Sequence, residues 1–117
     1  MSMRDVGRAG EETAAKYLQS IGATILARNY TVRGGEIDLI AEKDGIVCFV
    51  EVKLRNNTAF GRGAEAVTRE KQRRISRAAL RFLAEKGWQD RICRFDVVEI
   101  CLPEGIRYLS RAFEYVP

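Results

Sequence analysis

Residues 35–55, GEIDLIAEKDGIVCFVEVKLR, contain two apolar runs separated by Lys43-Asp44-Gly45, and charges interrupt both runs. Asp38 stands inside the first, and Glu51 and Lys53 inside the second. A short polar connector ending in glycine between two such runs predicts a tight antiparallel turn, here joining strands over 36–42 and 46–54. Side chains alternate across a strand. Val47, Phe49, Glu51 and Lys53 therefore share one face, and Ile46, Cys48, Val50, Val52 and Leu54 the other. A strand this apolar on both sides is expected at the centre of a sheet, covered on both faces. Glu36, Asp38 and Ile40 share a face of the preceding strand, and the short turn brings Asp38 close to Glu51.

The flanking sequence supplies the rest of the fold. Gly7, Glu11, Ala14, Leu18 and Ile21 recur at helical spacing over 4–21, and Gly22 follows as a stop. Residues 23–32 read as a strand, with Ile25 and Ala27 on one side and Leu26 and Tyr30 on the other. Arg33-Gly34-Gly35 turns the chain into the opening stretch, so three strands form an antiparallel meander. A polar loop over 55–63 leads to Thr68, an N-cap for a helix that runs to about residue 86 and closes at Gly87. Residues 92–102 form a fourth strand and, after a turn over 103–105, residues 106–113 a fifth. The expected fold is α/β in the order α-β-β-β-α-β-β, a mixed central sheet with helices packed on it, in one domain over 1–117.

Composition narrows the chemistry. The 117 residues include no histidine, which excludes Ser-His and Cys-His nucleophile pairs, histidine bases and histidine metal ligands. Cys48, Cys93 and Cys101 are an odd number without zinc spacing and read as buried thiols. No apolar stretch is long enough for a membrane span, and MSMRDVGRAGEE lacks the apolar core of a secretory signal, so a cytoplasmic protein is expected. The net charge is +4, but residues 69–81 hold six basic side chains against the single acid Glu70, a local +5 that leaves −1 for the remainder.

A lone Glu-x-Lys on a strand is usually a surface ion pair. Here Asp38 interrupts the neighbouring apolar strand, and Glu11 falls on the apolar stripe of the first helix. Glu12, four residues before Lys16, reads as half of a routine surface pair. Clustered carboxylates repel each other and are costly to desolvate unless a divalent cation joins them, and magnesium accepts one or two carboxylates plus water. Asp38 and Glu51 are the expected metal ligands, at the edge of the sheet, with Lys53 as the nearby cation. On the second helix Ile75, Ala78, Ala79, Phe82 and Leu83 form the buried stripe, and Glu70, Arg73, Arg74, Arg77 and Arg81 line the far side. Lys71 extends the buried stripe toward the helix start. Lys71, Arg74 and Arg77, together with Arg55, are the expected contacts to a nucleic-acid backbone. Asp96 is read as supporting a turn or pairing with an arginine, and Trp88 and Phe95 as packing residues.

GEIDLIA followed by FVEVKLR, with GRAGEETAAKYL before and RFDVVEI after, resembles the YraN-like family of small bacterial proteins over nearly the whole chain. That family is similar to the restriction-endonuclease-like superfamily and, within it, to archaeal Holliday-junction resolvases. The resemblance implies an α-β-β-β-α-β core and a site taking an acid from the first helix, an Asp from the second strand and Glu-x-Lys from the third. These positions match Glu11, Asp38, Glu51 and Lys53. Ile37 stands where many members carry a proline that resolvase-like members commonly lack, and Glu36 is an additional acid that acts in place of Glu11 or helps it. The implied function is a magnesium-dependent nuclease, with manganese as a substitute, that cleaves DNA in preference to RNA, branched DNA included. A homodimer is implied by analogy with enzymes that cut symmetric junctions. Two other classes fit the same residues: a non-catalytic nucleic-acid-binding protein on this fold, and an interaction domain whose arginine helix binds an acidic partner.

Overall fold

A computed structural model describes residues 3–55, 67–101 and 105–117, with residues 3–6 as backbone alone. The loop expected over 55–63 and the turn expected over 103–105 lie largely outside these residues. Helix α1 (Met3–Ser20) is followed by strands β1 (Thr24–Val32), β2 (Gly35–Lys43) and β3 (Ile46–Arg55), helix α2 (Arg69–Lys86), and strands β4 (Cys93–Cys101) and β5 (Gly105–Phe113). The strands form one sheet in sequence order, β1-β2-β3-β4-β5. All neighbouring pairs are antiparallel except β3 with β4, which α2 connects in parallel.

The β2–β3 connection places Asp44 and Gly45 at φ 53° and 78°, the left-handed conformation that a tight hairpin requires and that Asp and Gly tolerate. Thr68 caps α2 by accepting a hydrogen bond from the Lys71 amide at 3.1 Å. Gly87 closes the helix at φ 70°, with its N–H directed to the Ala84 and Leu83 carbonyls.

The helices cover opposite faces. Ile75, Ala78, Ala79, Phe82 and Leu83 of α2 pack on Ile40, Val47, Phe49, Phe95 and Val97. Phe82 meets Phe49 and Tyr30 edge-on, with ring centroids 6.1 and 5.3 Å apart, an arrangement aromatic quadrupoles favour. On the other face Ala14, Ala15 and Leu18 of α1 pack on Leu39, Ala41, Cys48, Val50, Val98 and Ile100. Phe49 and Val50 are fully enclosed, as expected of a central strand. Trp88 and Phe95 belong to the α2-side packing. Cys48 and Cys101 are buried and Cys93 is only half-buried.

The alternation expected for β1 holds for Leu26 and Tyr30, which both pack on the α2 side, and fails at Ala27. A register shift between Ile25 and Ala27 turns Ala27 to the α2 side, where it packs with Leu26 and Tyr30 instead of following Ile25. Asn29 then adopts φ 49°. Tyr30 and its register partner Ile37 pack on the α2 side, although Leu39, two residues beyond Ile37, packs on the α1 side. Asp38 occupies the position where β2 changes sides.

Asp96 is wholly buried and accepts hydrogen bonds from Arg94 Nε at 3.1 Å, from the Tyr108 hydroxyl and from the Arg111 amide at 2.9 Å. It thus pairs with an arginine and ties down the β4–β5 irregularity, where Arg111 has φ 53°. Among the described residues, no helix is long and apolar enough to cross a membrane.

Candidate active site

β2 remains paired with β1 down to Gly35, and β3 with β4 out to Arg55, whereas β2–β3 pairing ends at Leu39–Val50. The two central strands therefore part, and polar side chains fill the gap. Asp38 bridges it, accepting the Val52 amide on Oδ2 at 2.8 Å in place of a strand carbonyl. The charged cluster is thus at the parting ends of two inner strands. The sheet's edge, expected above, is formed instead by β1 and β5.

Glu51, only 3% exposed, lies on the α2 side of the gap. Burial, followed by its hydrogen bond to Asp38 and the charge of that carboxylate, pushes its pKa up to about 8, against the pull of Lys71 and Lys53. Lys71 Nζ approaches Glu51 Oε2 at 3.2 Å, and Lys53 Nζ approaches the same oxygen at 3.8 Å. Burial disfavours the Lys71 ammonium, but Glu51, Asp38 and Glu36 outweigh it, and its pKa rises. Glu36, half-exposed, lies 4.0 Å from Lys71 Nζ and 3.7 Å from Arg74.

Glu11 reaches the gap from the α1 side. It is half-buried, and burial and then the Asp38 charge raise its pKa against a hydrogen bond from Asn29 and the charge of Arg8. With Gly7, Arg8 and Asn29 it lines an open hollow of about 550 Å³. Its neighbour Glu12 pairs with Arg28 of β1 at 2.7 Å, an exposed cross-element bridge in place of the expected pair with Lys16.

Helix α2 is held close to the gap by the Arg-Gly-Gly turn. A Cβ on Gly35 would lie 2.4 Å from the Arg74 carbonyl oxygen, and one on Gly34 would meet the Arg77 guanidinium. The glycines allow the helix to approach, and this sets Lys71 and Arg74 beside Glu36 and Glu51, with Arg77 exposed over the turn. Arg55 is placed differently from the helical arginines. Its Nε is 2.9 Å from Oε2 of Glu99, which is wholly buried. Glu99 was not among the expected site residues, yet parallel pairing sets it in register with Lys53. Its signal was available: it breaks the apolar run FDVVEIC as Glu51 breaks FVEVKL.

A profile of the uncharacterised protein family UPF0102 matches residues 10–100, a span that includes Glu11, Asp38, Glu51, Lys53 and Lys71. The chain belongs to this family, that of the YraN-like proteins. It is 52% identical over 97 residues to a UPF0102 protein of Symbiobacterium thermophilum, covering 83% of this chain and 82% of that one. It is 44% identical over 115 residues to a Geotalea daltonii UPF0102 protein, covering 95% and 91%. A Dictyoglomus turgidum UPF0102 protein is 40% identical over 117 residues, covering 100% and 98%.

Among the described residues, no group of three or more carboxylates or thiols is gathered closely enough to hold an ion. The available donors are the adjacent pair Asp38 and Glu51, and a pair plus water meets the needs of magnesium. Two carboxylates forced together in a buried gap, with a lysine on one of them, also form a donor set that a divalent cation would relieve of its repulsion.

Proposed function

We propose that this UPF0102 protein is a metal-dependent nuclease that hydrolyses phosphodiesters in DNA, branched DNA included, on a restriction-endonuclease-like fold formed by residues 1–117. The observation that carries the reading is the meeting of Asp38, Glu51 and Lys53 at one strand gap, with Lys53 3.8 Å from Glu51. The order α-β-β-β-α-β of the first six elements, with the acids on β2 and β3, supports the fold assignment.

Asp38 and Glu51 would hold magnesium or manganese, which when bound supplies Lewis-acid stabilisation of the phosphate and a more acidic water. The Val52 amide fixes Asp38 Oδ2, leaving its other oxygen to share the site with Glu51. Lys53 is placed to orient the attacking water and to stabilise charge developing on a phosphate oxygen. Glu11 borders the gap from the opposite face, where it can hold water next to Asp38. Arg74 and Arg77 extend positive charge from the gap along α2, where they meet backbone phosphates without reading sequence. Arg55 is committed to Glu99 and serves structure before it serves binding.

The test is cleavage of labelled DNA and RNA, linear, flapped and four-way, with magnesium or manganese. Wild type should cut at least one DNA substrate, and Asp38→Ala and Lys53→Ala should bind it without cutting. Salt-sensitive binding by all three without turnover would replace the nuclease with a non-catalytic binding protein. Cleavage retained in both variants would reject the site.

A further inference from the structure

We infer that Lys71 gates the metal site, occupying the Glu51 carboxylate while no ion is bound and moving to the scissile phosphate when one binds. The inference rests on the nuclease reading and adds a role for a helix residue expected only to grip the nucleic-acid backbone.

Three observations carry it. The first is proximity: the Lys71 ammonium is 3.2 Å from Glu51 Oε2, nearer than the Lys53 ammonium at 3.8 Å. A divalent ion coordinated to that oxygen and the ammonium now on it would compete for the same lone pairs and repel each other. The second is mechanical. The Thr68 cap orders the first turn of α2, and the close approach of Gly35 to the Arg74 carbonyl seats the helix start against the sheet. The Lys71 side chain can move, because it is a flexible four-carbon stem, one-third exposed, that already spans from Glu51 to Glu36, 4.0 Å away. The third concerns the destination. Arg74 lies 3.7 Å from Glu36, so that carboxylate already has a cation beside it. An ammonium displaced from Glu51 gains most from a new anion at the gap, and a phosphate oxygen of the substrate is that anion.

Ion and nucleic acid then favour the same displaced position of Lys71, and each must tighten binding of the other. Removing a lysine that stayed beside Glu51 would tighten ion binding through loss of a nearby charge but leave DNA's effect on ion affinity unchanged. A lysine that only held the fold together would weaken ion binding when removed.

Manganese titration calorimetry on wild type, Lys71→Met, Lys71→Gln and the helix control Arg73→Met separates these roles. It is run with and without a non-cleavable phosphorothioate DNA, beside cleavage assays. Both Lys71 variants should bind manganese about tenfold more tightly than wild type, lose the tightening that DNA produces, and cleave about 100-fold more slowly. Arg73→Met should match wild type. Having two replacements of different polarity guards against a single misfolded variant. Unchanged or weaker manganese binding in both Lys71 variants, with wild type active, overturns the gate and leaves the nuclease standing. A wild type that neither binds manganese nor cleaves overturns both.

Discussion

Replacing Glu51 with Gln should remove most of the pH dependence of stability in the metal-free protein. Glu51 is 3% exposed and its pKa is raised from 4.5 to about 8 in the fold. The folded state therefore binds more protons than the unfolded chain between those values, and linkage makes stability fall as pH rises through that window. If Glu51 titrated alone, the loss would be roughly 5 kcal/mol. Because Glu51 is buried and its titration is strongly coupled to its neighbours, the loss expected is about 2–3 kcal/mol. For a chain of this length that corresponds to a fall in Tm of roughly 10 °C between pH 5 and pH 8.5. Glu51→Gln is neutral throughout, so its Tm should fall by only a few degrees, and the two curves should cross as pH rises. The raised Glu11 pKa acts in both proteins and cancels in the comparison. Calorimetric scans in chelator across this range give the answer. Parallel curves for wild type and Glu51→Gln would refute the claim that burial beside Asp38 strains Glu51.

Other substitutions separate scaffold from site. Gly35→Ala should cost about 2 kcal/mol or more in urea unfolding, because its Cβ would lie 2.4 Å from the Arg74 carbonyl and push α2 away from Glu51. Asp38→Asn should keep stability within about 0.5 kcal/mol by still accepting the Val52 amide, whereas Asp38→Ala should lose about 1–2 kcal/mol, and neither should cleave. Arg55→Ala should destabilise by about 2 kcal/mol through the loss of one partner of buried Glu99, with DNA affinity nearly unchanged. Arg77→Ala should do the reverse, weakening DNA binding and lowering the salt slope by about one while Tm holds.

Local chemistry made much of this legible in the sequence. The Asp44-Gly45 turn and the alternation on β3 place Asp38 near Glu51, and Thr68 and Gly87 bound α2. Features set by tertiary contact were not legible. Lys71 meets Glu51 only because α2 docks through Gly35 onto the β1–β2 turn. Arg55 meets Glu99 only because β3 and β4 pair in parallel across a helical crossover, in a register that no nearby residue encodes. The parting of β2 from β3 depends on the change of sides at Asp38, opposite the left-handed Asn29, and the hydrophobic pattern of either strand alone does not reveal it. That parting moves the site from the expected sheet edge to the ends of two inner strands.

The central claim is that Asp38 and Glu51 together hold a divalent ion. Anomalous diffraction from crystals grown with manganese tests it most directly. The account predicts one strong anomalous peak between the Asp38 and Glu51 carboxylates, lost in Asp38→Ala, with the Lys71 ammonium moved off Glu51. No peak at the gap, or a peak that persists without Asp38, would contradict it.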